Sequence, residues 1–345
     1  MLSGDPFERW VQARPHNSDD FLRGLVTLMY VDDEGRSDAI GNGFVVYAHE
    51  NAAICMTASH NFEHIKALQR RRRMPSHPSL PQDFSVKGTQ YLDNSGVYAF
   101  YVGNGQPTVC QVDQISYQKS YDVAVFAIHF EVGLGTQKAF LWKTAVDFAM
   151  PNIGDEVALL GNELIYKEVG EGKYTLEQKL QFFFGSVTNL ISGVDRMGQY
   201  HSFETAIPIR PGLSGAPILK KPEVGGTMIA CGVASSDLSP KEAFDDCKVA
   251  GCSHGASLWP SLALGIVAHH GAEYGFLSLF DLVQRGILEN KTVDVETRVI
   301  VKTDDTEIIY VDTRISPPST HVLRTPKHPL IEMADKGGWN GPLPS

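Results

Sequence analysis

Pro211-Gly-Leu-Ser-Gly-Ala-Pro217 is the stretch on which the reading of this chain turns. Small residues on both sides of Ser214 let the backbone bend sharply, exposing one hydroxyl and aiming nearby N–H groups at a common point. Glycine-rich turns of this kind also arise by chance, so its meaning depends on two stretches upstream. Met56-Thr-Ala-Ser-His60 sets a histidine just after an apolar strand, where a ring can be held rigidly while its edge faces a cleft. Tyr121-Asp-Val-Ala-Val-Phe126 sets an acid at the mouth of an apolar run, where it can be partly buried and still reach an imidazole N–H. Each alone has an ordinary structural reading. In the order His60, Asp122, Ser214 they supply a general base, an acid to orient it and a hydroxyl nucleophile. Their separation puts the base and acid in one half of the chain and the nucleophile in the other.

Outward from these stretches the sequence reads as short strands broken by turn residues. They lie at 24–31, 41–47, 52–57, 96–102, 122–130, 156–160, 181–187, 215–220 and 227–233. Strands at this density predict an all-β protein, a barrel or a sandwich. One helix is predicted over 278–285, with Ser278 as its cap and Asp281 three residues on. Leu279, Phe280, Leu282 and Val283 supply its apolar stripe, and Gly286 stands where a terminating glycine belongs. Beyond it, 297–302 and 306–311 flank Thr303-Asp-Asp305 as a hairpin, and 316–345 reads as a proline-punctuated tail without periodicity. The basic run Arg70 to Arg73 reads as a solvated loop.

Composition narrows the function. With 345 residues, 43% hydrophobic and 20% charged, the chain can bury a sizeable core. Its 32 glycines and 19 prolines favour many turns. A net charge of −10 argues against nucleic acid as a partner. Met1 to Asp20 has no apolar core of a secretory signal, and no run of apolar residues is long enough to span a membrane. Five cysteines form no disulfide framework, which together with the missing signal predicts a reducing, cytoplasmic setting. Cys247, Cys252 and His254 do not complete a zinc site, and the chemistry read here needs no metal or organic cofactor.

With these residues in place, the chain resembles the trypsin-like, chymotrypsin-fold serine peptidases, and within them the bacterial HtrA-like branch. Gly41-Asn-Gly-Phe-Val-Val46 is similar to the strand before the histidine in that branch. Gly154-Asp-Glu-Val-Ala-Leu-Leu-Gly161 is similar to the opening of its second barrel, and Gly185-Ser-Val187 to the strand that follows. Phe203-Glu-Thr-Ala-Ile-Pro-Ile-Arg-Pro-Gly-Leu-Ser214 resembles the approach to its nucleophile. The likeness runs from about residue 22 to 288. It implies two perpendicular six-stranded β-barrels, the first over about 22–130 and the second over about 150–275. An extension over 1–21 would precede this 22–290 domain, and the hairpin and tail would occupy 291–345.

The resemblance also implies a function: a serine endopeptidase, hydrolysing peptide bonds of a protein substrate through His60, Asp122 and Ser214. The backbone N–H groups of Gly212 and Ser214 would form the oxyanion hole, one such donor being worth roughly 3 kcal/mol. Pro208, Ser235 and Asp237 would line the substrate pocket, leaving a small or apolar preference and a basic one both open. The departures are as telling. No Ile-Val-Gly-Gly-type terminus implies zymogen cleavage, and no PDZ-like domain is read after the protease. Inserts are expected beside His60, including Arg70 to Pro81, and over Ser235 to Leu262. Such a chain suggests a regulated intracellular effector, by analogy one of bacterial defence, with a regulatory protein partner at its C-terminal region. The alternative is a catalytically silent protease-fold scaffold; an α/β-hydrolase is disfavoured by the residue order and the missing βαβ alternation.

Overall fold

A computed structural model describes residues 24–49, 52–72, 84–86, 89–91, 94–103, 106–129, 143–170, 173–194, 200–207, 212–221, 229–237, 253–270, 273–288, 290, 295–301, 306–312 and 319–325. The apolar runs of the first half become strands β1 (Leu25–Val31), β2 (Ser37–His49) and β3 (Ala52–Thr57). A helix, α1 (Ser59–Arg72), intervenes before the short strands β4 (Phe84–Val86) and β5 (Thr89–Tyr91). β6 (Val97–Gly103), β7 (Gln106–Gln118) and β8 (Val123–His129) follow. They pair antiparallel in the order β7-β6-β1-β2-β3-β8, and β7 pairs again with β8, which closes a six-stranded barrel. β4 and β5 extend the sheet beside β7.

A second set begins with β9 (Ala145–Val146), β10 (Glu156–Gly170), β11 (Lys173–Val194) and β12 (Tyr200–Thr205). It continues with β13 (Pro217–Lys220), β14 (Ile229–Asp237) and β15 (Ser253–Ser257). The order β13-β10-β11-β12-β15-β14 closes through β13 and β14, giving a second six-stranded antiparallel barrel, and β9 adds in parallel at β14. The protein is therefore all-β with two closed barrels, an architecture that fits the chymotrypsin-like fold. After the barrels come a hairpin, β16 (Gly265–His270) with β17 (Glu273–Ser278), and helix α2 (Leu279–Gln284). The expected capping box is present: Ser278 Oγ accepts from Asp281 N at 3.1 Å, and Asp281 Oδ2 accepts from Ser278 N at 2.8 Å.

Strands with apolar residues at every position, such as Val123-Ala-Val-Phe-Ala-Ile128, must bury both faces. One face of β1, β2, β3 and β8 supplies Val26, Val45, Cys55 and Phe126 to a core drawn from all six strands of the first barrel. The other face supplies Leu25, Phe44, Met56 and Val125 to a larger core shared with Trp259, Leu279 and Tyr310. The second barrel has its own core around Val157, Phe203, Leu213 and Ile218. No described helix is long and apolar enough to cross a membrane.

Three segments differ from the expectation. Arg70 and its neighbours up to Arg72 belong to α1, not to a loop. Phe62, Ile65 and Leu68 recur at a helical spacing and enter the first barrel's core, each stabilising by roughly 1.5–3 kcal/mol. Polar His60, Asn61, Glu63 and His64 interrupt that stripe in the sequence, which is why it was not legible. The tail is the second case: β20 (Ser319–Thr325) pairs with β19 (Thr306–Asp312), itself paired with β18 (Val295–Val301), so the expected hairpin is a three-stranded sheet. Likewise the stretch read as an insert after Ser235 contains β15, which completes the second barrel, and the buried turn Trp259–Ala263.

Candidate active site

The acid comes first, because most of the site is arranged around it. Asp122 sits between a 3₁₀ turn (Lys119–Tyr121) and β8, with φ 46°, a left-handed conformation that short polar side chains tolerate best. Its carboxylate is buried and accepts four hydrogen bonds. Ser59 Oγ and the His60 N–H reach Oδ1, both at 2.9 Å. His60 Nδ1 lies 2.8 Å from Oδ2 and 3.1 Å from Oδ1, and Ser235 Oγ also donates to Oδ2. A buried charge is tolerable only when its lone pairs are satisfied, and here they are. Burial pushes the Asp122 carboxyl up, but the His60 charge and these hydrogen bonds outweigh it and hold the group below its ordinary value.

His60 lies in the first turn of α1, immediately after β3 delivers Thr57. An ionised carboxylate only accepts, so Nδ1 carries the proton and Nε2 is left with its lone pair. Burial lowers the imidazole pKa, yet the charge and hydrogen bond of Asp122 prevail and raise it above 6.5. The ring remains substantially open, its side chain 41% exposed.

Ser214 stands on a turn of the second barrel between two left-handed glycines, Gly212 at φ 89° and Gly215 at φ 88°. A side chain on Gly215 would overlap the Asn42 carbonyl and Thr57 Oγ1, so this position requires glycine for space as well as for φ. The turn is fastened to the first barrel. Asn42 N–H and Asn61 Nδ2 donate to the Ser214 carbonyl at 2.7 and 3.1 Å. Asn42 Nδ2 donates to the Gly212 carbonyl at 2.6 Å and to the Asn162 carbonyl at 3.0 Å. Thr57 Oγ1 accepts from Asn61 Nδ2 and donates to the Asn42 carbonyl. The two barrels are thus stitched together beside the turn.

His60 and Asp122, 62 residues apart, pair directly, and Ser214 is linked to Asp122 through Ser235. The Ser214 hydroxyl donates to the Ser235 carbonyl at 3.1 Å, and the Ser235 side chain completes the link to Asp122. Among the described residues, neither the Gly212 nor the Ser214 N–H donates to a protein acceptor. Ser235, expected at the pocket, is buried with its hydroxyl on Asp122. Asp237 ends β14 opposite Ser253, while Pro208, Cys247 and Cys252 lie outside the described residues. No group of three or more His, Cys, Asp or Glu side chains arranged to hold a metal ion is present among the described residues.

Sequence reasoning did not find Ser59, Asn42, Thr57 or Asn61. Adjacency to His60 marks Ser59 and Asn61, and flanking glycines mark Asn42, but no spacing rule singles them out. The chain matches no family model and no curated protein.

Proposed function

We propose that this protein is a serine endopeptidase with a chymotrypsin-like double barrel. The observation that carries the reading is the fully satisfied Asp122–His60 pair on one barrel beside a glycine-bounded serine on the other. Ser214 Oγ turns from the Ser235 carbonyl toward His60 Nε2 and attacks the scissile carbonyl carbon as Nε2 takes its proton. The oxyanion of the tetrahedral intermediate is received by the Gly212 and Ser214 N–H groups. Nε2 then gives the proton to the departing amine, leaving an acyl enzyme at Ser214. Water, deprotonated by the same nitrogen, attacks the ester, and the collapsing intermediate releases the acid and restores Ser214. Asp122 stays ionised throughout, holding the tautomer and stabilising the imidazolium.

Three buried, unbridged thiols among the described residues, Cys55, Cys110 and Cys231, accord with a reducing compartment, and we assign the cytoplasm on that ground. The hydrogen bond from Ser214 to the Ser235 carbonyl favours a second reading, a binding scaffold whose serine is not activated. A fluorophosphonate probe separates the two. An active enzyme labels at Ser214 and loses labelling in His60→Ala; a scaffold leaves the wild type unlabelled.

A further inference from the structure

Two non-glycine residues among those described hold a left-handed backbone: Asp122 at φ 46° and His201 at φ 53°. Such conformations persist only where the surroundings over-determine them. These two meet through a single ring. Tyr121, the residue before Asp122, lies against the His201 imidazole with ring centroids 6.3 Å apart and planes 13° from parallel. Trp259 stands edge-on to both, 6.1 Å from Tyr121 and 5.1 Å from His201. Trp259 also stacks on Tyr310, at 4.7 Å and 20°. Tyr310 Oη accepts from Met150 N–H at 3.3 Å. His201, Trp259 and Tyr310 are all buried, and they come from β12, the 3₁₀ turn Trp259–Ala263 and β19.

The hydrolysis described above uses none of these three residues. The direction of the Asp122 side chain, however, depends on its φ, and φ depends on the peptide plane that Tyr121 shares with it. We propose that the row Tyr310–Trp259–His201–Tyr121 is a positioning device for Asp122. His201 and Trp259 clamp the Tyr121 ring, and Tyr310 closes the clamp from the C-terminal sheet. That sheet, β18 to β20, is then part of the active-site scaffold and not an appendage. With the row intact the carboxylate faces His60 Nδ1 with both oxygens; with it broken, Asp122 relaxes toward negative φ and the carboxylate turns away. The inference rests on the peptidase reading, but only for its kinetic consequence.

The test uses the full chain and two readouts. Peptide turnover gives kcat and KM, and the downfield proton resonance of His60 Nδ1–H reports the bond to Asp122 whether or not turnover occurs. His201→Asn keeps a residue that tolerates positive φ but removes the imidazole from the row, and Tyr310→Leu removes the outer ring. Both are expected to lower kcat by roughly 10- to 100-fold with KM little changed, and to broaden or shift the resonance. Tyr310→Phe, which keeps the ring and loses only the bond from Met150 N–H, is expected to recover most of the loss, with kcat within about threefold of wild type and the resonance little moved. Should Tyr310→Leu not fold, Trp259→Phe is the milder probe, with an intermediate loss in both readouts. Folded variants with wild-type kcat and an unmoved resonance overturn the proposal and leave the peptidase reading intact. A wild type without turnover, whose resonance nonetheless broadens in His201→Asn, overturns the peptidase reading and leaves the positioning device standing.

Discussion

The two halves of the site follow opposite plans. On the first barrel Asp122 is buried, accepts four hydrogen bonds and fixes a histidine held in the first turn of a helix. On the second, Ser214 is half-buried between two left-handed glycines, and its hydroxyl rests on one carbonyl. A charge that must stay put in a desolvated place is best surrounded by fixed donors. A proposed nucleophile that must exchange acceptors is best held mainly through its backbone, and the Ser214 carbonyl takes two donors from the other barrel while its side chain makes one hydrogen bond, to the Ser235 carbonyl. Four donors gather where charge is held, and a single hydrogen bond holds the hydroxyl.

The sharpest way to break this contrast is to remove the mobile group. Ser214→Ala takes out the proposed nucleophile without removing any of the four donors on Asp122, and peptide turnover should fall by about six orders of magnitude. Pure mutant protein that still cleaves at a near wild-type rate would sink the assignment.

The next largest effect tests the rigid half. Asp122→Asn preserves shape but can favour the wrong imidazole tautomer, and kcat should drop on the order of 10⁴-fold. The pH profile carries the same information with a definite sign. His60 acts as a base only when neutral, so kcat/KM rises with pH through its pKa. Since burial is outweighed by Asp122, that midpoint belongs above 6.5 in the wild type. With the charge gone, burial alone remains and the residual activity should have its midpoint below 6.5. A midpoint that stays in place would mean that the Asp122 charge does not govern the base.

The same contrast explains what could be read from the sequence. The barrels were legible in part because runs such as Ala52-Ala-Ile-Cys-Met-Thr57 are apolar over strand length and bounded by turn residues. The candidate site residues stood out because His60 follows such a run, Asp122 opens one and Ser214 sits among small residues ahead of another. β15 was not: Ser253-His-Gly-Ala-Ser257 is buried throughout but holds two serines, a histidine and a glycine, none of which signals a strand. β20 was hidden by the prolines around it. The rigid half hid most, since Ser59 and Ser235 are ordinary serines until the fold turns their hydroxyls onto one carboxylate.

Ser59 gives a smaller, graded test of that half. Ser59→Ala leaves Asp122 with three donors in place of four. The carboxylate's charge is then less dispersed, and its pull on the imidazolium grows. The acid limb of kcat/KM should therefore move to higher pH, with a loss at neutral pH of up to roughly tenfold, a fraction of what a hydrogen bond to a charged group is worth. An unshifted limb would mean that the remaining three donors already saturate the carboxylate.

The smallest effect is expected one helical turn away. His64 lies four residues after His60 on α1, and residues at that spacing share a helix face. By residue type alone it could take the same role as His60. The structure separates them through what α1 is packed on. The helix enters the first barrel's core with Phe62, Ile65 and Leu68, which fixes its rotation and leaves His64 exposed. Only His60, in the first turn, is close enough to the φ 46° residue to receive its carboxylate through both the backbone N–H and Nδ1. His64→Ala should accordingly leave kcat and KM within about twofold of wild type, because surface substitutions away from such features rarely matter. His60→Ala should abolish fluorophosphonate labelling. If the two substitutions instead cost the same, the helix holds its histidines in another order, and the four-donor cage around Asp122 is not what selects the base.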